Sequence, residues 1–115
     1  MLEIELEFRK GILFVRLGGI LNKKTISGFN KEVTSLIKET GIRNVVFNMT
    51  NLKEIDIDGI EEVFNNYKFS HENHGNTLVC GLEDCEIKRH ILRSRLMKNI
   101  GKTKGEIEAV NLINT

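Results

Sequence analysis

Ile55-Asp56-Ile57-Asp58-Gly59-Ile60 places two carboxylates on the turn between a strand and an amphipathic helix, and the alternation of elements on either side of it decides the fold. Upstream, Arg43 to Asn48 carries Val45-Val46-Phe47 at its centre, the continuous apolar character of a strand covered on both faces. Downstream, Ile60, Val63, Phe64 and Tyr67 recur at helical spacing. Asp58 is followed three residues later by Glu61, so Asp58 reads as the N-cap of a capping box, with the helix beginning at Gly59 and running to about His71. A carboxylate there accepts hydrogen bonds from orphan backbone N–H groups and sits against the positive end of the helix dipole.

Working outward, Leu2, Ile4, Leu6 and Phe8 alternate with Glu3, Glu5 and Glu7, a period of two that describes a half-buried strand with an acidic outer face. Arg9-Lys10-Gly11 turns the chain into a second apolar run, Ile12 to Leu17, which makes the opening a β-hairpin. After Gly18-Gly19, a helical pattern of Ile26, Phe29, Val33, Leu36 and Ile37 stops at Gly41, the residue expected just past a helix end. Beyond the second helix, Gly75 precedes a short strand, Thr77 to Cys80. Ile87, His90, Ile91 and Ser94 suggest a third helix, Leu96 to Ile100 reads as a final strand, and Thr103 with Glu106 reads as a second capping box ahead of Ile107, Val110 and Ile113. Strands joined through helices pair parallel by right-handed crossovers, so the expected fold is α/β: an N-terminal hairpin, then alternating helices and strands, in a mixed, mostly parallel sheet with about four helices. Ligands and partners of such sheets meet the loops beyond the carboxyl ends of the strands, and the Asp56–Gly59 turn is one of these.

Size and composition bound the function. With 115 residues, no proline and no linker or repeat, the chain is expected to form a single domain spanning 1–115. Seventeen basic against sixteen acidic side chains leave a net charge of +1, which argues against a general nucleic-acid binder. Cys80 and Cys85 are too few for a disulfide framework and wrongly spaced for a CxxC motif, consistent with a reducing compartment. No stretch approaches the ~20 apolar residues of a membrane span, and the N-terminus is acidic where a signal peptide is basic, so a cytoplasmic location is expected.

The order β-β-α-β-α-β-α-β-α, with an Asp-x-x-Gly turn opening the second helix, resembles the STAS domain of bacterial anti-sigma factor antagonists. The resemblance is carried along nearly the whole chain by Arg16-Leu-Gly-Gly-Ile-Leu, Asn44-Val-Val-Phe-Asn, Asp56-Ile57-Asp58-Gly59 and Asn76-Thr-Leu-Val-Cys. It implies a non-enzymatic switch in transcription regulation that binds an anti-sigma factor with a histidine-kinase-like ATP-binding fold, until that partner phosphorylates it. The family's turn reads Asp, a small residue, a phosphorylatable Ser or Thr, then Gly; the positions here are Asp56, Ile57, Asp58 and Gly59. Asp58 has no hydroxyl, so the usual phosphotransfer cannot occur on it. A phosphoserine brings about −1.5 to −2 charge and three acceptor oxygens, against −1 and two for Asp, so Asp58 is a weak permanent phosphomimetic or an acidic docking point to which Ile57 adds an apolar contact. Asn22 stands where the family often carries an Asp, keeping hydrogen bonds and losing charge. The resemblance thus implies partner contacts at Asp56, Ile57, Asp58, Gly59, Ile60 and Asn22, no cofactor, no nucleic-acid or membrane partner, and a monomer or weak dimer. The alternative is a STAS subunit of a signalling scaffold or lipid-transport complex that meets a non-kinase partner or a small ligand.

Other constellations are weaker. The first strand ends in Phe8, Arg9 and Lys10, which cannot supply the Mg²⁺-binding oxygens of a phosphorylated-aspartate receiver. His71, Glu72 and His74 lack a further ligand at recognisable spacing and read as solvated residues at a helix end, so no metal site is expected. Cys85 and His90 have no orienting third group, and no base, nucleophile and oxyanion donor can be assembled into an enzyme site. Lys88, Arg89, Arg93, Arg95, Lys98, Lys102 and Lys104 form the one basic concentration, read as a solvated face or as a patch for an acidic or phosphate-bearing partner.

Overall fold

The structure, a computed structural model that describes residues 1–82 and 85–114, is organised by a five-stranded sheet in the order β1-β2-β3-β4-β5. The strands are β1 (Leu2–Arg9), β2 (Ile12–Leu21), β3 (Asn44–Ile55), β4 (Thr77–Cys80) and β5 (Gly101–Thr103). Strand β1 pairs antiparallel with β2, and every later neighbour is parallel. The hairpin turns on Lys10 and Gly11, whose φ angles of 52° and 79° are the left-handed pair that a two-residue turn needs to match strand twist.

Among the described residues three helices connect these strands and a fourth follows β5. Helix α1 (26–40) is α-helical over Ile26–Phe29, π-helical over Asn30–Thr34 and α-helical again over Ser35–Thr40, and it ends as expected at Gly41, with φ 66°. Helix α2 is Ile57–Glu72, α3 is Cys85–Arg93 and α4 is Glu106–Ile113. Because each strand from β2 to β5 is added on the same side of the last, right-handed crossovers put α1, α2 and α3 on one face of the sheet. Their buried Phe29, Val33, Ile37, Ile60, Val63 and Ile91 pack with Leu13, Val15, Leu17, Val45, Phe47 and Val79. The alternate strand residues Ile12, Phe14, Val46, Leu78 and Cys80 face the other way and are covered by Ala109, Val110 and Ile113 of α4.

Several expectations are corrected. The segment read as a final strand from Leu96 to Ile100 instead holds a 3₁₀ turn, Arg95–Asn99, and the strand comes after it as β5. Met97 and Ile100 are both buried and lie three apart, the spacing that eclipses in a 3₁₀ turn, so one short coil serves the core where a strand would split them between faces. The Lys102 ammonium donates to the carbonyls of Met97 and Ile100, closing the turn against β5. Thr103 is not a cap: it lies in β5, its hydroxyl donates to the Gly105 carbonyl, and α4 starts from Gly105 with no side-chain cap. On β1 the alternation holds, but α1 covers only its first half, leaving Leu6 38% and Phe8 60% exposed. Cys80 is fully buried, and burial pushes its thiol up to about 11. Cys85 opens α3, and its side chain lies outside the described residues.

Candidate functional site

The long strand β3 delivers the chain to the carboxyl end of the sheet, where Ile55 is buried and Asp56 leaves the strand in an extended conformation. One oxygen of Asp56, Oδ1, accepts from the Gly59 N–H at 2.9 Å, and the other, Oδ2, accepts from the Lys23 N–H at 3.1 Å. The Asp56 N–H donates to the Leu21 carbonyl at 3.2 Å. Asp56 is therefore the N-cap of α2, and Asp58 lies inside the first turn, so the capping-box assignment of Asp58 is corrected by two residues. The cause is Gly59. A Cβ there would lie 2.7 Å from the Leu21 carbonyl oxygen and 2.9 Å from Ile55 Cγ1, so the absence of a side chain lets the first turn of α2 sit directly on the end of β2. That close approach begins the helix at Ile57, one residue after Asp56.

The capping geometry sorts the turn into supporting and presented groups. Gly59 and Ile60 are buried, and Ile60 packs into the core. Ile57 is 56% exposed. Asp58 is half-buried, and its carboxylate has no hydrogen-bond or ion-pair partner among the described residues. It projects from the first turn of a 16-residue helix, where the free N–H groups favour negative charge.

Asn22 belongs to the same surface. Its side-chain oxygen accepts from the N–H groups of Lys24 (2.9 Å) and Thr25 (3.2 Å), and its own N–H donates to Thr25 Oγ1 at 2.9 Å. The Thr25 hydroxyl in turn donates to the Ile20 carbonyl. The acceptor of Asn22 is thus committed to shaping the β2–α1 loop, and Asp56 ties that loop to the α2 turn through Lys23. The structure brings Asn22, Asp56, Ile57 and Asp58 together at one end of the sheet, with the ammonium groups of Lys23 and Lys24 exposed beside them.

Two polar clusters escaped the sequence reading. On the α4 face, Arg16 donates from Nε and Nη2 to the two carboxylate oxygens of Glu106, both at 2.8 Å. Its remaining contacts are Nη1 to Glu5 at 2.7 Å and Nη2 to Glu7 at 2.8 Å, while Asn48 Nδ2 donates to Glu106 at 2.8 Å. The Arg16 hydrogen bonds hold the Glu106 carboxyl below the usual carboxylate range. Between α1 and α2, Glu62 is only 8% exposed; the Thr34 hydroxyl donates to it at 2.8 Å and itself accepts from Asn66 Nδ2 at 3.1 Å. Glu62, Asn66 and Ser70 recur every four residues as a buried polar stripe on α2, a pattern masked in sequence by the stronger apolar one.

The remaining sequence candidates lie apart from this site. His71 stacks on Tyr67 with ring centroids 5.7 Å apart, and His71, Glu72 and His74 are all exposed. Among the described residues no group of three or more His, Cys, Asp or Glu is placed to hold a metal ion, and no helix is long and apolar enough to cross a membrane. Lys88, Arg89, Arg93, Arg95, Lys98, Lys102 and Lys104 are exposed, and none of them has an ion-pair partner among the described residues.

The chain as a whole is similar to known proteins. Residues 3–109 match the family model of the STAS domain. An anti-sigma F factor antagonist from Paenibacillus polymyxa is 27% identical over 109 residues, covering 95% of this chain and 92% of that protein. Among solved structures, a Thermotoga maritima protein provisionally assigned as an anti-sigma factor antagonist superposes with a TM-score of 0.88 at 13% identity, over 97% of this chain and 95% of that one. The anti-sigma factor antagonist SpoIIAA in its unphosphorylated form superposes with a TM-score of 0.75 at 16% identity, over 97% and 98%. The Bacillus SpoIIAA structure in its phosphorylated form gives 0.72 at 15% identity, over 96% and 99%.

Proposed function

This chain belongs to the STAS domain family, and from that premise we propose that it works as a non-enzymatic anti-sigma factor antagonist whose docking surface is the α2 turn together with the β2–α1 loop. The partner is an anti-sigma factor with a histidine-kinase-like ATP-binding fold, met in the cytoplasm. The observation that carries this reading is the state of Asp58: a carboxylate with no partner among the described residues, half-exposed on the first turn of α2, beside the exposed apolar side chain of Ile57. Asp56, Gly59 and Ile60 support the surface from beneath, and Asn22 shapes the neighbouring loop.

Asp58 occupies the phosphoacceptor position of the family without a hydroxyl, so recognition here proceeds without modification of that residue. We read its carboxylate as a docking charge for a basic group of the partner. The two roles open to this carboxylate predict opposite signs. As a docking charge, Asp58→Ala weakens binding to the anti-sigma factor, by about tenfold for about 1.4 kcal/mol. As a permanent imitation of the phosphorylated state, Asp58→Ala tightens it. Titration calorimetry of wild type and Asp58→Ala against the anti-sigma factor of the same organism decides between them. An anti-sigma factor that binds neither protein, with both folded, overturns the proposed partner and moves the function to the scaffold reading. In the same assay Asp58→Ser restores a hydroxyl, and ATP-dependent phosphorylation by that partner tests whether the kinase relationship survives.

A further inference from the structure

The stretch from Lys88 to Lys104 holds seven of the seventeen basic side chains and none of the sixteen acidic ones, so a chain of net charge +1 is +7 here and −6 elsewhere. Glu83, Asp84 and Glu86 precede it in sequence. The fold sorts these cations. The Lys102 ammonium is committed to the carbonyls of Met97 and Ile100. In α3, Ile91 is fully buried, and Arg89 and Arg93 stand two residues to either side of it, about 200° round the helix, so they line its outermost ridge one turn apart. Lys88 is exposed beside them. In the 3₁₀ turn Met97 and Ile100 take the inner side, and Arg95 and Lys98, also three apart, share the outer one. Nothing in the described chain neutralises this row. Arg16 meets three carboxylates and Arg9 meets Glu7, whereas the side chains of Lys88, Arg89, Arg93, Arg95 and Lys98 have no ion-pair or hydrogen-bond partner among the described residues. Two arginines one turn apart repel each other and weaken the helix that carries them. The helix dipole offsets this at Arg93 in the last turn and does nothing for Arg95 or Lys98 beyond it.

We propose that the outer face of α3 and the 3₁₀ turn is a second docking surface, independent of the Asp58 turn, and that it takes an acidic polypeptide segment with carboxylates one helical turn apart. Guanidinium groups one turn apart on a convex ridge match such a row, a fork to each carboxylate. Other anions fit the surface less well. Stable anchoring on a bilayer takes apolar side chains beside the cations, and the described apolar residues of these two segments, Ile91, Met97 and Ile100, are 0%, 1% and 2% exposed. A nucleic-acid backbone carries its charge along its whole length and meets the −6 of the rest of the molecule, beginning with Glu61 and Glu72 exposed on α2. A short acidic segment meets only the cations. Because α2 lies between α3 and α1 in the helical layer, this surface is on the flank away from Asn22 and the β2–α1 loop.

The test sets the full chain against a synthetic helical peptide bearing paired glutamates one turn apart, the same peptide with glutamines in their place, duplex DNA, and vesicles of phosphatidylcholine and phosphatidylserine. Followed by amide chemical shifts, the glutamate peptide should move the signals of Lys88 to Lys98 and leave that of Asp58 in place, with an affinity that falls as salt is raised. The glutamine peptide should move neither. Arg89→Glu combined with Arg93→Glu is expected to weaken binding of the glutamate peptide about tenfold or more, with an unchanged far-UV circular dichroism spectrum. Arg95→Glu combined with Lys98→Glu should show a loss of the same sign, so the reading survives a failure of either variant to fold. Lys31→Glu combined with Lys53→Glu alters the net charge equally at exposed positions on other elements, and should leave binding within about twofold. Absence of shifts at Lys88 to Lys98 with the glutamate peptide at low salt overturns the proposal and leaves these side chains as a solvated face. An equal loss in the Lys31 and Lys53 variant reduces the attraction to net charge and overturns it as well. Tighter binding of the DNA or of the vesicles through the same residues overturns the acidic segment as the occupant.

Discussion

At the scale of single residues, two aspartates separated by one isoleucine have different work. Asp56 holds α2 and the β2–α1 loop through its two oxygens, and Asp58 holds nothing in the described chain. Asp56→Ala should therefore lower stability in urea unfolding by about 0.5–2 kcal/mol, the cost of an N-cap. Asp58→Ala should cost less, about 0.3–1 kcal/mol, since only the dipole interaction is lost. Equal losses for the two variants would contradict the observed cap. Gly59→Ala pushes a methyl group against the backbone carbonyl of Leu21 and should cost about 1–3 kcal/mol, measured in the same way. The turn between β3 and α2 was legible in the sequence because paired carboxylates before a helical stripe are a local signal. It misassigned the cap because the deciding contact, Gly59 on Leu21, joins residues that are distant in sequence. Nothing local announces it.

At the scale of elements, the C-terminal helix is fastened by a charged clasp. Arg16 of β2 and Glu106 at the start of α4 meet side-on, with Asn48 of β3 on the same carboxylate. Glu106→Gln keeps the shape and removes the charge, and should cost about 1.5–3 kcal/mol, the range for a hydrogen bond to a charged group. The pH dependence follows from the lowered pKa of Glu106. Because its folded value lies below the unfolded one, its stabilisation is complete above about pH 4.3 and is lost as the pH falls through the folded value. Between pH 5 and lower pH, the wild type should thus lose more stability than Glu106→Gln, followed by thermal unfolding across a pH series; parallel curves would exclude this role. This clasp also explains what was legible among the elements. Periodic runs gave β1, α1 and α2, because period two and period 3.6 differ plainly over eight or more residues, and continuous apolar runs gave β2, β3 and β4. The tail was misread because Met97 and Ile100 are too few apolar positions to separate a strand from a 3₁₀ turn. Glu106 was assigned to a cap because its partner Arg16 lies far away in sequence.

At the scale of the whole molecule, the chain contains no proline, so no X–Pro isomerisation can delay it. Refolding after long denaturation should show no phase of tens of seconds and should be indifferent to a prolyl isomerase. A slow phase that grows with time spent unfolded would contradict this. The strand order adds a consequence for synthesis. From β1 to β5 every strand lies beside the one before it in sequence, so each segment leaving the ribosome finds its neighbour already made. Emerging at about 5–20 residues per second, the nascent chain can lay the sheet down like courses of brick, never holding a gap open for a later arrival. Helix α4 then reaches back across the sheet to the first hairpin, where Glu106 meets Arg16. Formation of α4 is thus the step that locks the first hairpin in place.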